Sequence, residues 1–445
     1  MKRLSSAVLF AYLFLLCAPT DAQVISTVAG DGTSGYSGDG GYAVSAKLNH
    51  PDMVKFDGQG NMYIADEHNN AVRKVSVWGI ITTIAGNGTA DAYGRGGLAT
   101  AAHLFRPTDI AFDKKGNIYI AEGGNNMISK IATNGLLTTF AGNGVNGNAG
   151  DSVAATSAQL RNPIGLVFDG IGNLYFSSNG SGTIRKIDTN SFITTIAGTT
   201  GVLGYAGDNG PATAAQLGLT GYLAFGPNKD LYIPDYLKHV VRRIDSFGVI
   251  TTVAGNGAMG TAGDGGPATT ANIGSPYSIF FDYKNDMYIS DRFEYLIRKV
   301  DGSGVISTIC GTGVAGFDGD GDIPIATQFN ADLNLSDSDK AGNYYVADPM
   351  NNRVRKIGRY TTGLKQVTNV LPVISVYPNP AYSVLNISSV GNSVTRVLVV
   401  DITGHTVIDQ SCNNTDTVQL DISGLSNGIY FLKVNERYAG SFVKE

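Results

Sequence analysis

The chain has 445 residues, enough for more than one core, with 58 glycines, 22 tyrosines and only 16% charged residues. That composition excludes a disordered chain and suits short strands joined by tight turns. The formal net charge of −5 supplies no basic field, so neither nucleic acid nor an anionic lipid surface is expected as a partner.

Lys2 and Arg3 precede an apolar run from Ala7 to Cys17, and Thr20-Asp21-Ala22 places small residues where a signal peptidase cuts, so residues 1–22 are expected to be a signal peptide. No later segment reaches the ~18 uninterrupted apolar residues of a membrane span, and no transmembrane segment is expected in the mature chain. Cys17 leaves with the signal. Cys310 and Cys412, in what read as separate domains, are expected to be free thiols.

A phrase then repeats. ISTVAG ends at Gly30, IITTIAG at Gly86, LLTTFAG at Gly142, FITTIAG at Gly198, VITTVAG at Gly255 and VISTICG at Gly311, at spacings of 56, 56, 56, 57 and 56 residues. A fixed period of that length marks an array of supersecondary units. The first period holds a Gly-rich stretch, GDGTSGYSGDGG. A small-residue segment follows, Tyr42–Leu48, long enough for about two helical turns, and then strands at Met53–Phe56, Asn61–Ala65, Ala71–Val75 and Ile80–Ala85. Four antiparallel strands repeated six times predict an all-β fold, a six-bladed β-propeller over residues 23–358. Ile25–Ala29 reads as a fourth strand with nothing before it, and the last repeat stops at its third strand, so residues 25–29 are expected to close the last blade.

The phrase Asp66-x-x-Asn69-Asn70-x-Val72-Arg73-Lys74-Val75, preceded by Gly60-Asn61-Met62-Tyr63-Ile64-Ala65, resembles the NHL repeat, and all six periods carry versions of it. The GDGG insertions resemble those of exported bacterial NHL proteins. The resemblance implies the propeller fold; it does not name an activity, because propellers host unrelated functions.

The period ends near Ile357. Residues 359–372 read as a linker, and residues 373–445 as a small β-sandwich with short strands such as Val384–Ser388, Thr395–Asp401 and Gly428–Val434. The phrases YPNP, DITGHTV and LDISGLSNGIYFLKV resemble the type A C-terminal sorting domain of the bacterial type IX secretion system. That resemblance implies a Bacteroidota-type host, contact with the type IX machinery through residues 373–445, and a chain that is secreted or attached to the outer-membrane surface.

Strand direction puts the loop between second and third strands and the Gly-rich insertion on one face, which is the expected binding face. Asp66 and its counterparts Glu122, Ser178, Asp235, Asp291 and Asp348 recur in every blade, and a residue so repeated serves the blade before it serves a site. Ligand contacts are expected where the repeats differ: Tyr236 and His239 in blade 4, Arg292 and Tyr295 in blade 5, with Tyr36, Tyr93 and Tyr205 of the insertions as stacking surfaces. The expected function is non-catalytic recognition of a protein, peptide or glycan at the cell surface or beyond it. The alternative is a metal-dependent hydrolase or lyase with its site in the propeller funnel.

No resident cofactor is expected. One candidate for Ca²⁺ is Asp318-Gly-Asp320-Gly-Asp322, with carboxylates at alternating positions, although Ile323 stands where a calcium loop needs glycine and Phe329 where it needs Glu. His50, His68, His103 and His239 occupy three different places in the repeat, so no convergent histidine set is expected. The inner strand of the sixth repeat, Asn334–Asp339, is polar where other repeats are apolar.

Overall fold

The computed structural model describes residues 23–359, 373–390, 393–401, 406–435 and 437–445. The expected signal peptide and nearly all of the expected linker lie outside them. The chain divides into two units, residues 1–360 and 361–445, each with its own core.

The first unit is the propeller. Four of its sheets carry four strands in sequence-adjacent order, and that of blade 4 adds a fifth, two-residue strand, Gly210–Pro211, at its rim; in blade 1 the strands are Pro51–Phe56, Met62–Asp66, Ala71–Val75 and Ile81–Ala85, from axis to rim. The sixth is closed by the N-terminus: Gln23–Ala29 pairs antiparallel with Arg353–Arg359, Ile25 opposite Ile357 and Thr27 opposite Arg355. Alternation of Val, Ile and small residues buries one face of each strand against the next blade, so the apolar cores lie between blades rather than along the axis.

A tyrosine of the second strand meets a phenylalanine of the next blade's inner strand edge-on at five junctions, from Tyr63–Phe112 at 4.9 Å to Tyr345–Phe56 at 4.6 Å. At the sixth junction Ser338 stands in the phenylalanine position. Its cross-strand partner is Tyr344, and this ring takes up the space, 4.8 Å from Tyr288 with the two hydroxyls 2.9 Å apart. The polar strand of blade 6 is thereby accounted for. Asn334 bonds both the backbone and the carboxylate of Asp52, and Asp337 accepts from the Phe56 amide.

The small-residue segment is shorter than two helical turns. A single 3₁₀ turn spans Ala43–Ser45, flanked by extended backbone at Tyr42 and Ala46. The carbonyls of Ala43 and Ala46 accept from Gly30 and Asp31, ending the preceding strand, and those bonds compete with helix continuation.

Blade 4 departs from the rest. Its inner strand is reduced to Ala224–Phe225, and the preceding residues swing inward, the Tyr222 amide donating to the carbonyl of Tyr277 in blade 5. Leu219 occupies the place where the first three blades have proline, and two glycines admit the displacement. A Cβ on Gly221 would lie 1.9 Å from the Tyr277 carbonyl oxygen, and one on Gly165 would lie 2.9 Å from the Tyr222 Cα.

The second unit is a two-sheet β-sandwich. Val373–Tyr377, Val384–Val390 and Thr417–Asp421 form one sheet; Thr406–Thr415, Val394–Val400, Gly428–Val434 and Arg437–Lys444 form the other. Leu385, Ile387, Val397, Val399, Leu420 and Leu432 pack between them. Cys310 and Cys412 are free thiols, and burial pushes the Cys310 thiol up to about 12.

Candidate functional site

The repeated acid builds a clasp. Asp66 is wholly buried; its Oδ1 accepts from the Asn49 amide at 2.8 Å and its Oδ2 from Asn69 Nδ2 at 2.9 Å and Arg73 Nη1 at 3.3 Å. The other Arg73 terminal nitrogen reaches Asp39 of the Gly-rich insertion at 2.6 Å, pinning that insertion to its blade. Arg185–Asp151, Arg242–Asp208, Arg298–Asp264 and Arg355–Asp320 repeat the pair at 2.5–3.1 Å. Blade 2 reverses the charges. Ser129 replaces the arginine, and Arg95 of the insertion reaches in to buried Glu122 at 2.7 Å.

The clasp also places the candidate calcium residues. Asp320 is the insertion acid held by Arg355, Asp318 accepts from the Gln328 amide, and the Asp322 carbonyl accepts from Ile25 in the closing strand.

The insertion tyrosines fold onto their own blades. Tyr36 lies over Arg73 at 5.1 Å and bonds Thr83, Tyr205 repeats this with Arg242 and Thr252, and Tyr93 packs on His103. His239 and Tyr295 occupy the left-handed turn position, φ 59° and 54°, that asparagine fills at 70, 126 and 352. Tyr236 and Arg292 reach toward the axis: Tyr236 bonds Asn179 at 3.0 Å, and Arg292 lies 4.2 Å over the ring of Tyr277.

At the axis lies a cavity of about 370 Å³, lined among others by His50, Glu67, His68, Arg106, Tyr277, Arg292 and Asp332. Charges alternate along its wall. Arg106 Nη2 contacts Glu67 Oε1 at 2.6 Å, Glu67 Oε2 lies 2.8 Å from His50 Nδ1, His50 Nε2 lies 3.3 Å from Asp332, and Asp332 pairs with Arg292. Burial alone would lower the His50 pKa, but the carboxylates of Asp332 and Glu67 raise it to about 10, so the ring is an imidazolium. His68 stacks on it at 4.4 Å, and burial together with that neighbouring charge holds His68 below its ordinary value. Behind the lining residues Asp52 and Thr108 lies buried Tyr222, whose hydroxyl donates to Asp52 at 2.6 Å and lies 3.1 Å from the Thr108 carbonyl oxygen. Burial, then the Glu67 charge, pushes the Asp52 carboxyl up.

The histidines correct the sequence expectation. His50 and His68 do converge, with Glu67 between them, and the ligating atoms of the three lie within 4.8 Å of one another. The reason is register: Pro51 pairs with Asp66, so residues just beyond that pair meet although they stand 17 or 18 apart in the chain. Two repeat positions flanking the scaffold supply His50, Arg106, Asn162, Glu67 and Arg292 to the lining. One precedes the inner strand and reads His50, Arg106, Asn162, Gly218, Ser275 and Ala331 around the ring. The other follows the clasp acid and reads Glu67, Gly123, Asn179, Tyr236, Arg292 and Pro349. The first carried no signal as a motif, yet its variation was visible.

Residues 375–444 match the secretion system C-terminal sorting domain family. Among curated proteins the propeller resembles SUPPRESSOR OF QUENCHING 1, chloroplastic, of Arabidopsis thaliana, 25% identical over 285 residues, and Teneurin-3 of Mus musculus, 28% identical over 223. The matches cover 61% and 44% of this chain but 27% and 8% of those proteins, so the chain spans less than a third of the relatives' length. Among solved structures, a protein of unknown function from Bacteroides thetaiotaomicron superposes with TM-score 0.55 at 21% identity, covering 76% of both chains. An auxiliary nutrient binding protein from the same organism gives 0.56 at 18%, again covering 76% of both. These likenesses show the fold.

The chain is therefore a β-propeller that carries a C-terminal β domain. That domain belongs to the secretion system C-terminal sorting domain family, which addresses the chain to the type IX machinery and so to the cell surface or the exterior. No helix among the described residues is long and apolar enough to cross a membrane.

Proposed function

We propose that this protein is an exported binding module whose axial funnel takes a peptide, protein segment or glycan outside the cell. The observation that carries the reading is the charge-laced axial cavity, lined by His50, Glu67, Arg106, Arg292 and Asp332 from repeats that differ at these places. Bacteroides propellers named as auxiliary nutrient binding proteins are in keeping with it. The test is binding of the purified chain to arrays of glycans and envelope proteins, repeated with Arg292→Ala and Tyr236→Ala. Saturable binding that both substitutions weaken supports the reading; binding indifferent to both removes the funnel from it.

A second reading, a metal-dependent hydrolase or lyase, is favoured by the His50, Glu67 and His68 cluster. Ligation requires a neutral His50, so an ion would have to displace one of its two ring protons, of which Nδ1–H faces Glu67 and Nε2–H faces Asp332. Metal analysis after dialysis, with melting curves in the presence and absence of EDTA, distinguishes the two. A stoichiometric ion lost on His68→Ala favours the enzyme, and one lost on Asp318→Asn points instead to calcium at the insertion.

A further inference from the structure

Arg106 and Arg292 belong to blades 2 and 5, which face one another across the axis of a six-bladed ring. Each is fixed by a carboxylate through Nε and Nη2, Arg106 on Glu67 and Arg292 on Asp332. A guanidinium has five N–H donors. No hydrogen bond among the described residues engages Nη1 of either, and both residues line the one cavity. The acids of the wall are already compensated in charge: Glu67 and Asp332 each serve two cationic neighbours, and Asp52 accepts from Tyr222 and Asn334. The two guanidinium groups thus offer charged donors to a ligand.

The rest of the lining narrows the class of ligand. Ile164 and Met350 are its only aliphatic side chains, too little apolar surface to seat a peptide's side chains. The lining also includes an amide, Asn162, and the phenol of Tyr277 beneath Arg292, groups that suit hydroxyls. The volume, near the lower end of ligand pockets, suits one or two sugar rings.

We infer that the funnel binds an acidic saccharide, a uronic-acid-type sugar whose carboxylate is taken by the Nη1 groups of Arg106 and Arg292. The inference rests on the reading of the funnel as the ligand site. A carboxylate held by guanidinium donors makes charge-assisted bonds, stronger than those a neutral sugar could form at the same place.

The test is calorimetric titration of the purified chain with disaccharides of galacturonate, glucuronate and mannuronate, their methyl esters, and triglycine. At least one acidic disaccharide is expected to bind, with its ester about tenfold or more weaker, the difference that a charge-assisted bond supplies. Arg106→Gln and Arg292→Gln should each bring the acid down toward its ester and leave the ester unchanged. Arg106 is half-exposed, so its variant remains informative if Arg292→Gln unfolds. Acid and ester binding equally, with both weakened by Tyr236→Ala, would overturn the acidic class and leave the funnel reading standing. Saccharide binding untouched by every funnel substitution would overturn the funnel reading itself. Tighter binding of triglycine, or no binding of any acidic disaccharide, would overturn the inference.

Discussion

Arg73, Arg185, Arg242, Arg298 and Arg355 have no exposed surface, and each is buried beside the acid that anchors an insertion. Removing one partner of a buried pair leaves an uncompensated charge, typically about 3–5 kcal/mol of destabilisation. Arg95→Ala, which strands buried Glu122, is expected to show a loss of that size in denaturant unfolding, and Asp66→Ala, which takes the acceptor from the Asn49 amide, Asn69 and one Arg73 nitrogen while Arg73 keeps Asp39, about 2–3 kcal/mol. Ser178→Ala in blade 3, where the acid is already a serine bonded to the Arg161 carbonyl, should stay near 1 kcal/mol. Equal losses at 66 and 178 would mean the clasp is not what holds these loops.

The same residues set a pH dependence. Burial raises Asp235 from 3.8 to about 7, against the Gly218 and Lys238 amides that lower it. The folded state then binds this proton more tightly than the unfolded one, so its contribution is greatest in acid and is lost as pH rises from about 4 through 7. Asp113 runs the other way. Its burial is outweighed by bonds from Asn117, its pKa is lowered, and its contribution disappears on acidification below the ordinary carboxylate range. Melting curves from pH 4 to 8 should show Asp235→Asn gaining on the parent chain as pH rises, whereas Asp113→Asn should show no such gain. A constant offset for Asp235→Asn would contradict the assignment.

At the scale of the element, the inward course of blade 4 sets Tyr222 behind Asp52 of the cavity lining. Gly221→Ala sets a methyl against the Tyr277 carbonyl, so residues 220–223 must move and carry Tyr222 off Asp52. The expected result is destabilisation of about 1–3 kcal/mol and loss of the funnel's ligand. Crystallography of the variant should find the Tyr222 hydroxyl withdrawn from Asp52, and an unmoved Tyr222 would contradict the account. This element also marks where sequence reading stops. The all-β repeat was legible because a 56-residue period and alternating Val, Ile and Thr impose the sheets whatever else varies. Tyr236 and Arg292 were legible as differences within a recognised loop. His50, Glu67 and Arg106 were not, because their meeting depends on pairing register across a hairpin and on the neighbouring blade. Tyr222 was not, because LTGYLAF still reads as an ordinary inner strand until the clash partners of Gly221 and Gly165 are known.

For the whole molecule, the propeller with its axial cavity and the sorting domain have separate cores. The funnel, Tyr222 and every clasp lie within residues 23–359, and the core of the sorting domain is drawn wholly from residues after 373. Among the described residues, each sheet draws its strands from one unit. A chain ending at residue 360 should therefore keep the propeller's melting temperature and its binding while failing to appear outside the cell when expressed in a type IX host. Fractionation of that host, probing periplasm, surface and medium, reads the outcome. Residues 361–445 joined to an unrelated protein with a cleavable signal should conversely reach the exterior without binding the ligand. If the truncated propeller reached the surface, the delivery signal would have to lie in the blades themselves. If it arrived unfolded, the two cores would not be independent, and the division of labour read from their separate packing would fail.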